Sequence, residues 1–97
     1  MKLLHVTYHF EFSDRIEIIL DEHDIQNYVR YTPVAAKDCD GRHYGSKVFP
    51  GHNSVVQAQV PDAAAESLFE KLKEFKEAAE AHHHLNAVML AVDDYLA

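Results

Sequence analysis

A single cysteine, Cys39, is the whole thiol content of the chain, so no disulfide can close within it. That count fits a reducing, cytosolic compartment. Basic residues are in the minority: nine Lys and Arg against sixteen Asp and Glu leave a formal net charge of −7. Such a balance argues against non-specific binding to nucleic acid, whose phosphates require a basic surface. No run approaches the ~20 apolar residues of a transmembrane helix, and Met1-Lys2-Leu3-Leu4-His5 lacks the apolar stretch expected of a signal peptide. Glycine is scarce and confined, with Gly41, Gly45 and Gly51 all in one stretch. Phosphate-binding loops, dinucleotide fingerprints, zinc-finger spacings and hydrolase elbows are missing, and no acid–base pair stands out, so the sequence does not read as an enzyme.

What remains is an ordinary globular composition, 47% hydrophobic over 97 residues, which predicts one folded domain spanning residues 1–97. Eight histidines make its charge sensitive to pH between about 5 and 8.

Residues 2–10 alternate as a strand, with Leu4, Val6 and Tyr8 on an apolar face and Leu3, His5, Thr7 and His9 on the other. Ser13 or Asp14 is suited to cap a first helix, whose inner face carries Ile16, Ile19, Leu20 and His23 and which Asp24 should end. A second strand is predicted over 25–32, with Pro33 weakening pairing beyond it. From Val34 to about His52 the chain reads as one long loop, a length associated with function more often than with incidental connection. Asn53 to Val60 form a third strand with Val56, Ala58 and Val60 on one face. Asp62 is suited to cap a second helix whose apolar positions are Ala65, Leu68, Leu72, Phe75 and Ala79.

The last strand, residues 85–92, is apolar on both faces: Leu85, Ala87, Met89 and Ala91 on one, Val88, Leu90 and Val92 on the other. Both faces of such a strand need cover. Two helices cover only one face of a four-stranded sheet, so the other face needs a second subunit or another layer.

The order strand, helix, strand, long loop, strand, helix, strand predicts an α+β, ferredoxin-like βαββαβ fold: a four-stranded antiparallel sheet with two helices on one face. The stretch Gly41-Arg42-His43-Tyr44-Gly45-Ser46-Lys47-Val48-Phe49-Pro50-Gly51-His52-Asn53-Ser54 sharpens this. With its glycine pair, aromatic–proline step and Asn-Ser leading into the third strand, it resembles small PII-like proteins. The resemblance implies a homotrimer with sheets facing inward, a flexible T-loop at residues 33–52 that contacts partner proteins, and ligand sites in the clefts between subunits. It also implies that the turn at 79–84 lines such a cleft. Here that turn, Glu80-Ala81-His82-His83-His84, lacks the glycine and lysine that hold phosphates in ATP-binding PII proteins. The chain also carries acidic Asp93-Asp94 where those proteins carry bases.

Two sets of residues are candidates for chemistry. Lys37, Arg42, His43 and Lys47 form the one local positive cluster, suited with nearby backbone N–H groups to a small anion or nucleotide; an ordinary solvated loop reads equally well. In an extended segment His82 and His84 would point the same way and could hold a divalent metal, with His5, His9 or another subunit completing the set. The plainer readings are a solvated turn at a helix end, and strand histidines hydrogen-bonded across the sheet to Gln57 or Gln59. Cys39, Asp40 and His43 lie close in sequence but lack a positioned third group for nucleophilic chemistry. The functional expectation is a non-enzymatic, trimeric, cytoplasmic ligand-binding regulator whose loop at 33–52 responds to a small anion. A metal-binding or metal-sensing trimer is the alternative.

Overall fold

The computed structural model describes residues 1–38, 41–43 and 52–96. Four strands, β1 (Lys2–His9), β2 (Asn27–Val34), β5 (Asn53–Val60) and β6 (Asn86–Ala91), form an antiparallel sheet in the order β2-β5-β1-β6. Helices α1 (Ser13–Glu22) and α2 (Asp62–Glu77) cover one face. A short hairpin of β3 (Ala36–Asp38) and β4 (Gly41–His43) stands apart from that sheet. The stretch expected to be one long loop therefore contains regular structure within its described residues.

Period-two alternation places Leu4, Val6 and Tyr8 of β1 beside Val56, Ala58 and Val60 of β5, all fully or nearly fully buried. Ile16, Ile19 and Leu20 of α1 and Ala65, Leu68, Leu72 and Phe75 of α2 close the core from above, as their helical spacing requires.

Helix ends depart from expectation. Neither Ser13 nor Asp14 caps α1; the position before the helix is Phe12, at the end of a 3₁₀ turn over Phe10–Phe12. That turn delivers helical geometry directly, so no side-chain cap is needed. Asp62 is the first residue of α2 and makes no cap bond. Its carboxylate pairs instead with the terminal ammonium of Met1 at 2.8 Å, which holds Asp62 below the usual carboxylate range. Ala79 lies beyond the end of α2 and is exposed.

The end of α1 follows the expected stop at Asp24. Asp24 takes φ 55°, the Asp24 N–H donates to Asp21 O, and the Ile25 N–H donates to Leu20 O, each at 3.1 Å. This is a Schellman closure, with buried Ile25 against buried Leu20 as its apolar clasp. Ile25 thus belongs to the helix exit, and β2 begins two residues later than expected. Pro33 sits where the β2–β5 register shifts, between Tyr31 opposite Val55 and Val34 opposite Asn53. An extra residue there lets a residue without an N–H stay in an edge strand.

Candidate functional site

The antiparallel order brings the end of β1, the end of β2, the start of β5 and the start of β6 to one end of the sheet. The β3–β4 hairpin follows β2 at this end, and the turn at 80–84 precedes β6. Backbone bonds knit the end together: the Phe10 N–H donates to His52 O at 2.9 Å, and the Leu85 N–H donates to His82 O at 3.0 Å. Ser54 Oγ–H donates to Thr32 Oγ1 at 2.8 Å, tying β5 to β2 just before the hairpin.

The predicted cationic residues meet here in part. Lys37 and Arg42 are register partners in the hairpin, and His43 pairs with Ala36 one step nearer the sheet. Two basic residues therefore occupy directly opposed register positions. Lys47 and Cys39 lie outside the described residues.

The histidine run is not extended. Glu80–His82 is a 3₁₀ turn, followed by helical backbone at His83. His82 is buried: its ring stacks on Phe75 at 3.9 Å and 9°, and Phe12 meets it edge-on at 4.7 Å. Its Nδ1–H donates to Phe75 O, satisfying a carbonyl of the last turn of α2. His83 Nδ1–H donates to Glu80 O at 2.7 Å, and its ring lies 3.8 Å from that of His84. His82 and His84 thus differ in burial and surroundings, and the shared direction expected of them is lost with the extended backbone. Its two aromatic anchors, Phe75 seven residues before it and Phe12 from across the fold, carried no sequence signal that would have assigned His82 to packing.

On the uncovered face of the sheet, Gln57 Nε2–H donates to His5 Nδ1 at 3.3 Å, the cross-sheet pairing anticipated for these strand histidines. His9 Nδ1 lies 3.3 Å from Glu11 Oε1, close enough for charge pairing but outside hydrogen-bond geometry. No group of three His, Cys, Asp or Glu side chains converges to hold a metal among the described residues. Around the His5–Gln57 pair lie Val29, Tyr31, Val88 and Leu90, each about half exposed. A cavity of about 350 Å³ opens on this face beside Leu3, Asn27, Val29, Gln57 and Gln59, at the end of the sheet away from the hairpin.

Comparison with solved structures settles the architecture. The chain superposes on CPII, a nitrogen regulatory PII-like protein from Thiomonas intermedia K12 bound to ADP, AMP and bicarbonate, with a TM-score of 0.74. The match covers 96% of this chain and 88% of that one at 19% identity. This is a PII-like fold. A DUF3240 family protein from Shewanella baltica OS155 superposes with a TM-score of 0.71 over 99% of this chain and 94% of that one at 12% identity. The apo form of CPII superposes with a TM-score of 0.65, covering 92% and 89% at 16% identity. No family model and no curated protein matches the sequence. Among the described residues of this PII-like fold, no helix is long and apolar enough to cross a membrane.

Proposed function

We propose that this chain is a non-enzymatic, PII-like regulatory module of the cytoplasm. A small anion or nucleotide would bind at the hairpin end of its sheet, in a cleft between copies, and reset the arrangement of residues 33–52. The register that sets Lys37 opposite Arg42 carries this reading: it brings two basic positions together only where the hairpin is formed, which is what an anion needs. His43 and Lys47 are assigned to the same contact. A protein of the same fold being bound to ADP, AMP and bicarbonate supplies the ligand classes to try.

The uncovered face supports a trimer. Val29, Tyr31, Val88 and Leu90 leave apolar surface in water on the side that the helices cannot reach. Three sheets facing inward would bury it and set the hairpin end of each copy against a neighbour.

The test is a thermal-shift screen with ADP, AMP, ATP, bicarbonate, phosphate and 2-oxo acids, repeated on Lys37→Glu and Arg42→Glu. A ligand confined to the folded state raises the melting temperature. A rise in the parent chain that is lost in both variants supports the reading. A flat response to every ligand at millimolar concentration overturns it.

A further inference from the structure

With His5 neutral, the uncovered face of the sheet bears no formal charge. Its middle row runs Val29, Gln57, His5, Val88 across the four strands. The rows on either side add carboxamides, hydroxyls and apolar groups, with no Lys, Arg, Asp or Glu. The two charged residues within the four strands, Lys2 and Arg30, stand opposite the core residues Val60 and Val56 and so lie on the helix side. In a chain of net charge −7, this face lets identical copies meet without setting like charges against each other. Half-exposed Val29, Tyr31, Val88 and Leu90 supply the apolar area to be covered. A second copy is therefore the occupant it fits.

One residue can end that neutrality. His5 stands within the middle row, partly buried, its Nδ1 accepting a hydrogen bond from Gln57 Nε2–H at 3.3 Å. The accepting nitrogen bears no proton, so Nε2 carries it and the ring is neutral. Imidazole takes up a second proton between about pH 8 and 5. A half-turn of the Gln57 carboxamide then presents Oε1 to Nδ1–H, so the bond within the chain survives. The neutrality of the face does not, because the row offers no carboxylate to the imidazolium. On an open face water solvates that charge. Covered by a copy presenting the same uncharged residues, the charge loses its water without compensation.

We propose that His5 gates the contact between copies: neutral, it lets the faces close; protonated, it parts them. The proposal rests on the assembly read above and adds the condition that releases it. Other titratable groups stand aside. Strands β5 and β6 present none to His5. On β2 only Tyr31 can ionise from this face, and a phenol stays neutral between pH 5 and 8. On β1 itself His9 lies four residues on, about 13 Å by strand rise, beside Glu11. The Met1 ammonium lies four residues the other way, paired with Asp62. If only the neutral ring can be covered, each His5 weakens association by up to about tenfold per pH unit below about 6.5. Bulk charge predicts the reverse: as eight histidines gain protons the −7 is offset and self-repulsion fades.

The test is sedimentation velocity of the full chain in equal salt at about pH 8 and about pH 5.5, with His5→Gln, His5→Lys and His9→Gln alongside. The parent should sediment as an assembly at the higher pH and as a monomer at the lower, with its far-ultraviolet spectrum unchanged. His5→Gln should stay assembled at both, His5→Lys should be monomeric at both, and His9→Gln should follow the parent. Any other behaviour of these three variants overturns the gate, as does a parent equally assembled at both pH values. Dissociation accompanied by loss of the far-ultraviolet signal would assign the effect to unfolding and overturn it too. In these cases the assembly itself stands, whereas a parent that is monomeric even at the higher pH removes the assembly and the gate together.

Discussion

His82 lies flat on Phe75, ring planes 9° apart, while its Nδ1–H bonds the carbonyl oxygen of that same residue. Since a carbonyl only accepts, Nδ1 carries the proton and the tautomer is fixed. One side chain therefore closes α2, supports Phe12 from the turn after β1, and sets where β6 starts. His82→Phe keeps the stack and loses the bond, and should cost about 1 kcal/mol. His82→Ala loses both and should cost about 2–4 kcal/mol, in the range of buried large-to-small changes. Urea denaturation of the two variants checks the order; equal stability of His82→Ala and the parent would contradict a packing role.

Asp24→Gly should stabilise the fold by about 0.5–1 kcal/mol. The residue holds φ 55° at the exit of α1, a conformation that glycine reaches without the steric cost borne by a side chain. The entropy of a freer unfolded chain offsets part of the gain. A rise of a few degrees in melting temperature is the expected reading; a fall would show that the aspartate side chain contributes more than its backbone costs.

Tyr8 is completely buried, and its hydroxyl has no hydrogen-bond partner of good geometry. Burial pushes its pKa above the ordinary value, with nearby Ser13 partly offsetting the shift. A group whose folded pKa is raised contributes stability in full below its unfolded value, near 10, and loses it as the pH rises through the folded one. Stability should accordingly fall on the alkaline side of pH 10. Tyr8→Phe should flatten that fall and raise stability at neutral pH by up to about 1 kcal/mol, since the desolvated hydroxyl is removed. Thermal melts from pH 7 to 11 on both proteins decide it.

The uncovered face makes a fourth prediction. Val88→Asp with Leu90→Asp places two charges where the sheet is apolar and half exposed. Sedimentation velocity should show the parent as a trimer and this variant as a monomer with an unchanged far-ultraviolet spectrum. A parent that sediments as a monomer would end the inter-subunit cleft.

The strands and the helix faces were legible because their apolar periods are unbroken. Leu4, Val6 and Tyr8, or Leu68, Leu72 and Phe75, leave one way to face a core. The two-faced apolar strand also announced its uncovered side, and Val88 and Leu90 lie there. The cap of α1 was misjudged because a short polar residue before a helix predicts a bond only if the preceding backbone is extended. Before α1 a 3₁₀ turn removes that condition. In the site, the register that opposes Lys37 to Arg42 depends on where a hairpin turns, and no local pattern around Lys37 encodes that. The His82–His84 run misled for a related reason: composition suggested ligands, whereas the aromatic neighbours that claim His82 come from α2 and from the 3₁₀ turn after β1.

Strand β1 lies between β5 and β6, so both of its ladders run to segments about half a chain or more away. During synthesis Leu4, Val6 and Tyr8 emerge ahead of both partners and stay unpaired until residues 53–60 appear, and the second ladder waits for 86–91. The nascent chain therefore carries this sticky stretch unpaired for long, and its burial depends on a strand made much later. Truncations within the final strand should tell on solubility before they tell on any binding property.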